Sequence, residues 1–455
     1  MLKKLTDDKK FDELSGLQLF QLIRYGSLLI ISIVLAKSGM DLESFGRYEL
    51  LVFFTGAISF FWLTGLIQSL LPLYRNSQTF QNNPDTNSRS AEIFNAFILL
   101  LCFSMLGGLL VVLLGIFTPG LVKEEFDPEL IGYLAAFIIF QSPSALTEYI
   151  YTLRKQGRKV VAYGLIAFGF QILAVSIPAI MGLELKWVLT GLVGSAFLRF
   201  VWLLLLLSRV ALPSFSGSFM REHLYLGIPI MLSVLLSGSA SYIDGFIITG
   251  YFDESVFAVF RNGARELPLV ALLAHALSSA MVPEFKDLGL KEALKKLKDR
   301  SLPLIRVMFP ITLVLLFLSY FLFPVFYDER FFNSAGVFNL YLLLVISRLL
   351  FPQTILIALK KTRVLVMASG LELILNIGLS LILVKVWGIR GVALATIIAY
   401  FLERMFLIIW VKNSLGIKPE QYIHRRKHLI WSIIIIITYI GVELFIGSGF
   451  TNLSG

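Results

Sequence analysis

Charged residues interrupt a stretch that is otherwise apolar enough to cross a membrane. The segment FAVFRNGARELPLVALLAHALSSAM, residues 257–281, carries Arg261, Arg265 and Glu266 within its first ten positions. A charge at the centre of a bilayer costs about 2.5–3.5 kcal/mol on insertion scales. Because such a cost is tolerated where the charge serves a function or a structural pairing, these residues are candidate site residues.

Arginine side chains in apolar spans indicate recognition of an anion. The planar guanidinium binds phosphate bidentately, and Arg261 and Arg265 are four residues apart, so one continuous helix would place both on the same face. Arg24 lies about 10 Å inside the first apolar span by helix rise, which is too deep for its side chain to reach the headgroups easily. We predict that Arg24, Arg261 and Arg265 bind an anionic substrate.

Three acidic residues lie in the same kind of apolar surroundings. Asp244, Glu266 and Glu372 are predicted to be ion-pair partners or sites that couple transport to H⁺ or Na⁺. An Asp244–Arg261 pair that only holds two neighbouring helices together is the alternative to substrate binding by Arg261. For Arg24, the alternative is a pairing with backbone carbonyls of another helix.

The composition excludes a water-soluble globular protein. The chain has 455 residues, of which 57% are hydrophobic and only 15% charged, and its mean hydropathy is +0.81. A membrane-spanning helix needs about 20 predominantly apolar residues. We therefore predict an all-α polytopic membrane protein with about thirteen transmembrane helices, at 17–36, 48–73, 93–117, 130–151, 160–181, 187–208, 224–250, 257–282, 302–325, 335–359, 364–386, 391–411 and 429–448.

The distribution of basic residues predicts the orientation of these helices. Lys and Arg are concentrated in the segments on the same side as the N-terminus, for example in KEALKKLKDR at 291–300. Since basic loops face the cytoplasm, we predict a cytoplasmic N-terminus. The net charge of +10 is then a signal of topology, and we expect no nucleic-acid partner.

The sequence shows no motif for catalysis, a cofactor or a metal ion. It contains no GxxxxGK[ST] phosphate loop and no zinc-protease motif. His424 and His428 have the spacing of helical metal ligands, but the run HRRKH is better explained as a basic segment next to the membrane. Cys102 is the only cysteine and lies in a predicted span, which excludes an internal disulfide. We therefore expect a protein that is not an enzyme and that has no catalytic residue, cofactor or metal site.

An internal repeat organises the chain. ESFGRY at 43–48 corresponds to ESVFAVF at 254–260, and three polar residues recur 205 positions later: Arg158, Gln171 and Arg199 as Arg363, Asn376 and Arg404. We predict two six-helix lobes in the same orientation, 1–210 and 211–415, followed by a basic cytoplasmic segment with an additional helix in 416–455. Parallel repeats of this kind are typical of transporters that hold substrate between their halves and alternate access.

Three segments resemble a known family: LAKSGMDLESFGRYELLVFF (35–54), YIDGFIITGYFDESVFAVFRNGARELPL (242–269) and LELILNIGLSLILVKVWGIRGVALATIIAYFLERM (371–405). They are similar to the polysaccharide transporter and O-antigen flippase family of the multidrug/oligosaccharidyl-lipid/polysaccharide (MOP) exporter superfamily. The resemblance implies two six-helix lobes around a central cavity and movement of a lipid-linked glycan. It also implies cationic residues of the first and eighth helices in that cavity, which Arg24, Arg261 and Arg265 match. Members of the family usually have twelve or fourteen spans, whereas thirteen are predicted here.

These observations predict a secondary transporter that flips a polyprenyl-pyrophosphate-linked oligosaccharide across the bacterial cytoplasmic (inner) membrane for cell-surface polysaccharide biosynthesis. Its expected partners are this substrate, the lipid bilayer and a coupling H⁺ or Na⁺, and we expect a monomer. One alternative is a cation-coupled multidrug exporter of the same superfamily. Another is a membrane glycan polymerase or ligase, which usually has a larger external loop than this chain offers.

Overall fold

The computed structural model describes residues 13–76, 89–117, 128–266 and 268–447. The ends of the predicted N-terminal lobe and C-terminal segment, 1–12 and 448–455, lie outside these ranges. Within them all regular elements are helices, and eleven helices are long and apolar enough to cross a membrane. The longest, Thr362–Leu415, contains non-helical backbone at Gly388 (φ 57°, ψ −136°), so it comprises the two spans predicted at 364–386 and 391–411. The predicted class, an all-α polytopic membrane protein, is confirmed.

The first of two compact units comprises Met1–Gly238 and Asp253–Ser255. Its helices are α1 Glu13–Lys37, α2 Leu42–Asn76, α3 Ala91–Phe117, α4 Pro128–Ser144, α5 Leu146–Leu153, α6 Gly157–Ile180, α7 Leu185–Val210 and α8 Gly217–Gly238. The unit extends past residue 210, where the repeat predicts the end of the first lobe, because α8 packs along α2. In that contact a hydrogen bond of 2.8 Å joins His223 Nε2 to the carbonyl of Leu66.

The second unit comprises Ser239–Phe252 and Val256–Gly455. Its helices are α9 Ala240–Tyr251, nearly all of α10 Glu254–Gly263, α11 Pro268–Asp287, α12 Leu290–Phe326, α13 Phe332–Leu342, α14 Leu344–Arg348, α15 Pro352–Ala358, α16 Thr362–Leu415 and α17 Arg425–Val442. The basic segment 291–300 is therefore part of the 37-residue helix α12.

The prediction of one continuous helix over 257–282 is wrong, because α10 ends at Gly263 and α11 begins at Pro268. Proline lacks an N–H and its ring clashes with the preceding turn, so a helix cannot continue unchanged through it. The end of α10 is also fixed by packing. A Cβ built on Gly263 would lie 2.4 Å from the carbonyl oxygen of Ser334 on α13, and the Ser334 hydroxyl donates to the carbonyl of Val259 at 2.7 Å. The span predicted at 335–359 is likewise divided among α13, α14 and α15.

The backbone confirms the internal repeat. Among the described residues, two that are not glycine have left-handed φ values, Lys155 (56°) and Lys360 (57°). They are 205 positions apart, as Arg199 and Arg404 are. Each lies in the turn that follows a short helix, α5 or α15. The same hydrogen bonds close both turns, from Lys155 N to Thr152 O and from Lys360 N to Ile357 O, each at 3.0 Å. Since non-glycine residues rarely adopt this conformation, its recurrence at the predicted offset marks equivalent turns in two copies.

The additional C-terminal helix is attached to the second unit at both ends. Near its start, His428 Nε2 lies 2.9 Å from the carbonyl oxygen of Ile346. Just beyond its end, the carboxylate of Glu443 accepts hydrogen bonds at 2.8–3.1 Å from Tyr320, Asn339 and Arg390. The helix is therefore held by buried and half-buried polar contacts as well as by its apolar face.

Candidate functional site

Arg24 is an exposed cation inside an apolar helix of the first unit. One turn earlier, the buried ring of Phe20 packs on α6, with its centroid 5.9 Å from that of Tyr163, and this contact holds α1 in place. The Arg24 side chain is exposed, and among the described residues its guanidinium makes no direct hydrogen bond or ion pair. The predicted alternative, a pairing with carbonyls of another helix, does not occur in the described part of the chain.

A buried carboxylate lies near Arg24. Glu148 on α5 is only 3% exposed and is within electrostatic range of both Arg24 and Arg199, but it contacts neither guanidinium directly. Arg199 on α7 is itself buried, and its guanidinium lies over the ring of Phe168 at 5.3 Å. The first unit thus brings together two arginines and one acidic side chain.

Arg261 and Arg265 lie on either side of the end of α10. Arg261 is in the last turn of the helix, whereas Arg265 follows it in the connecting segment, so the expectation that they share one helical face is wrong. Both are partly exposed. Arg265 Nη2 donates to Oδ1 of Asn262 at 2.8 Å, and Asn262 is 1% exposed and donates to the carbonyl of Ala258 at 3.0 Å. Asn262 therefore fixes the direction of the Arg265 side chain.

Asp244 is buried in a cluster of neutral polar groups. Its carboxylate accepts hydrogen bonds from Tyr341 and Thr396, both at 2.5 Å, and from Asn376 at 3.3 Å. The Ser380 hydroxyl in turn donates to Asn376 Oδ1 at 3.0 Å. These partners come from α13 and from both halves of α16. The alternative of an Asp244–Arg261 ion pair therefore does not occur, because neutral donors bind the Asp244 carboxylate.

The remaining acidic candidates lie in a charged network of the same unit. Glu266 binds Arg348 bidentately, at 2.7 and 2.9 Å, and the Arg348 guanidinium lies 4.4 Å from the centre of the Tyr400 ring. Glu372 is 6% exposed, lies within electrostatic range of Arg348, Arg404 and Glu403, and has one carboxylate oxygen that is buried without a hydrogen-bond partner. Glu266 thus forms an ion pair, but with an arginine that the sequence did not connect to it.

Sequence reasoning missed the hydroxyl groups around Asp244. Tyr341, Ser380 and Thr396 are neutral residues within apolar helices, where such side chains usually bond to their own helix and give no separate signal. Asn376 was detectable, because it is the repeat equivalent of Gln171. Its spacing of four residues from Ser380 would have placed both on one helical face.

The chemistry of the two clusters differs. In the first unit, exposed and buried arginines offer positive charge to an anion. In the second unit, the Asp244 carboxylate with its surrounding hydroxyl and amide groups has the oxygen ligands that suit a proton or a small hard cation. Among the described residues, no group of three or more His, Cys, Asp or Glu side chains is arranged to hold a metal ion.

Eleven described helices that could cross a membrane define the chain, as a class, as a multi-pass membrane protein. A family model described as "Polysaccharide biosynthesis protein" matches residues 40–335. Because that match covers more than half of the chain, the protein belongs to this family.

Known relatives agree with this assignment. A Shigella flexneri protein named as a candidate O-antigen transporter is 21% identical over 401 residues, which is 84% of this chain and 92% of the relative. The structure of the lipid II flippase MurJ in an inward closed conformation has a TM-score of 0.62 at 18% identity and covers 95% of this chain and 99% of that one. An inward-facing multidrug MATE transporter of the MOP superfamily has a TM-score of 0.56 at 14% identity, covering 86% and 94%. The resemblance predicted from three sequence segments, to polysaccharide transporters and flippases of the MOP superfamily, is thereby confirmed.

Proposed function

We propose that this protein is a flippase that moves a polyprenyl-pyrophosphate-linked oligosaccharide across the bacterial cytoplasmic membrane by alternating access. The observation that carries the proposal is Arg24, an exposed guanidinium within an apolar helix that has no direct partner among the described residues. A charge in such surroundings requires compensation. The pyrophosphate of a lipid-linked glycan supplies it, because its oxygens match the donor fork of arginine.

The interrupted helix in the second unit supports the same assignment. Non-helical backbone within a membrane is tolerated where it is buried in protein or lines a water-filled cavity, and interrupted helices mark the substrate sites of many transporters. Arg261 lies in the last turn of α10, and Arg265 lies within the interruption between α10 and α11. We propose that they contact the anionic part of the substrate during transport, with Asn262 orienting Arg265.

The Asp244 cluster is the proposed coupling site. A proton or Na⁺ that binds there neutralises a buried carboxylate, and this favours a different arrangement of α9 against α13 and α16. Glu372 and the Glu266–Arg348 pair are further coupling candidates in the same unit. The N-terminus is proposed to face the cytoplasm on the basis of the basic segments.

The test uses full-length protein in proteoliposomes and undecaprenyl pyrophosphate that carries a fluorescent sugar, with a membrane-impermeant quencher outside. We expect flipping that responds to an imposed Na⁺ or H⁺ gradient. Arg24→Ala and Arg265→Ala should each lower the rate roughly ten- to hundredfold, because a hydrogen bond to a charged group contributes about 1.5–3 kcal/mol. Asp244→Asn should remove the response to the gradient.

The matched control is Arg209→Ala, which removes an exposed arginine from the last turn of α7 and should leave the flipping rate unchanged. Normal flipping by both Arg24→Ala and Arg265→Ala would contradict the assigned site. Transport of a cationic dye such as ethidium with no flipping of the lipid would support the multidrug exporter instead.

A further inference from the structure

Glu148 is a buried acidic side chain near two arginines, and it contacts neither guanidinium directly. It is 3% exposed on α5, and α5 packs against both α1 and α7. Arg24 on α1 and Arg199 on α7 are within electrostatic range of its carboxyl group. All three residues belong to the first unit. Arg199 has a second attachment, since its guanidinium lies over the Phe168 ring and Nε donates to the carbonyl of Ser195 at 3.4 Å. Arg199 is therefore held by other contacts, and holding it does not by itself explain a carboxyl group at position 148.

The second copy of the repeat shows what this position requires when there is no Arg24. At the offset of 205 residues, Glu148 and Arg199 correspond to Gln353 and Arg404. There, Gln353 Oε1 accepts a hydrogen bond from Arg404 Nη1 at 2.8 Å, and the neighbouring Glu403 carboxylate lies 3.3 Å from Arg404 Nε. The position that Glu148 occupies in the first copy thus holds a neutral amide that binds the equivalent arginine. The stretch equivalent to Arg24, at offsets of 205–211, is the cation-free PIMLSVL at 229–235. Only the copy that carries the extra arginine has a carboxyl group at this position.

We propose that Glu148 is the internal counter-ion of Arg24, which neutralises this arginine whenever the transported anion is absent. The inference rests on the proposed function, since it names the group with which the substrate competes. When the pyrophosphate arrives, Arg24 exchanges the distant carboxylate for direct phosphate contacts. After release, Glu148 restores the local charge balance, so the empty transporter returns without an uncompensated arginine in an apolar environment.

Competition of this kind has a measurable consequence for affinity. The negative charge of Glu148 opposes an incoming anion, so its removal should strengthen anion binding through Arg24. One unit charge at several ångströms in a partly solvated protein changes an equilibrium by about tenfold. The effect requires Arg24 and should disappear when that arginine is removed. A structural role of Glu148 would lower stability and would not strengthen binding.

The experiment measures binding of farnesyl pyrophosphate, a short isoprenoid pyrophosphate, to full-length protein in nanodiscs of zwitterionic lipid. Glu148→Gln is expected to bind the probe about tenfold more tightly than the wild type, and Arg24→Ala at least about tenfold more weakly. The double variant should bind as weakly as Arg24→Ala. Glu148→Asp keeps the charge and should bind with wild-type affinity.

Two controls separate charge from folding. The Gln353–Arg404 pair indicates that this fold accepts glutamine at the position of Glu148. Thermal unfolding of Glu148→Gln measures whether the variant is as stable as the wild type. If it is less stable, Glu148→Met serves as a second neutral variant. Glu49→Gln removes another buried carboxylate of the same unit, one that accepts from Ser32 on α1 at 2.9 Å, and should leave the affinity unchanged.

The counter-ion role of Glu148 and the substrate-binding role of Arg24 would be contradicted by different results. If Arg24→Ala weakens binding but folded Glu148→Gln or Glu148→Met does not strengthen it, the counter-ion role is overturned and the proposed function stands. If Glu148→Gln strengthens binding equally in the Arg24→Ala background, the carboxylate acts through another group, which also overturns the inference. If Arg24→Ala binds the probe as the wild type does, the assignment of Arg24 to the substrate fails, and the counter-ion role fails with it.

Discussion

Arg265 lies in a connecting segment, but its guanidinium is held by a residue of the preceding helix. Asn262 is almost completely buried, accepts a hydrogen bond from Arg265 at 2.8 Å and is tied to its own helix through Ala258. A cation that must meet a phosphate gains affinity when its orientation is fixed beforehand. We therefore assign Asn262 a positioning role in the proposed substrate site.

Asn262→Ala should lower the flipping rate of the labelled lipid through its effect on Arg265. The lost bond to a charged group corresponds to about 1.5–3 kcal/mol, or roughly a tenfold or greater reduction, and the amount of protein in the membrane should stay normal. In the Arg265→Ala background the same substitution should have little further effect. A full additional loss in that background would show that Asn262 acts independently of Arg265.

At the scale of elements, the interruption between α10 and α11 depends on a close approach of two helices. Gly263 lies so near Ser334 of α13 that a Cβ would be 2.4 Å from the backbone oxygen. Gly263→Ala should therefore displace the end of α10 and destabilise the protein by about 1–3 kcal/mol, as overpacking does. The matched control is Gly378→Ala in α16, where a Cβ meets nothing within 4 Å and alanine favours the helix.

Thermal unfolding of the two alanine variants in detergent is the measurement. We expect a lower midpoint for Gly263→Ala and an equal or slightly higher midpoint for Gly378→Ala. Equal midpoints would mean that α10 can move away from α13 without cost, and that the helix end is set by Pro268 alone.

The same elements show how far the sequence predicts this structure. The length of the apolar stretches predicted the membrane helices, because every helix that crosses a bilayer needs about 20 predominantly apolar residues. A proline inside a helix favours a kink, but the presence of Pro268 in the sequence did not predict the complete interruption. In the first copy, the equivalent helix α2 is continuous over 35 residues, so the difference depends on Pro268 together with the tertiary contact of Gly263.

The contacts of the candidate site residues were predicted less completely than the helices. A charge in an apolar stretch is conspicuous, so Arg24, Asp244 and Arg265 could be selected from the sequence alone. Their partners could not, because Tyr341 and Thr396 are far from Asp244 in the chain and carry no charge. The sequence suggested an arginine as the partner of Asp244, whereas the fold supplies neutral donors.

At the scale of the whole molecule, the described residues contain a repeated helix pattern, which α17 follows near the C-terminus. The additional helix, α17, ends at a carboxylate that binds three side chains of the second unit: Tyr320, Asn339 and Arg390. Arg390 follows the kink at Gly388 by two residues, and a Cβ on Gly336 of α13 would lie 2.6 Å from its guanidinium. Glu443 therefore compensates a cation of α16 that is packed tightly against α13.

A double-mutant cycle over Glu443→Gln and Arg390→Gln tests whether this contact stabilises the fold without serving transport. The ion pair spans 3.0 Å, and its side chains are 34% exposed for Arg390 and 13% for Glu443, so each single substitution should cost about 1–2 kcal/mol, less than a fully buried pair would. The double variant should be more stable than the sum of the single effects predicts, because neither partner is left with an uncompensated charge.

Thermal unfolding measures the cycle, and binding of farnesyl pyrophosphate to the double variant should equal that of the wild type. Strictly additive losses of stability would show that Arg390 and Glu443 act separately, and weakened probe binding would place α17 within the transport machinery.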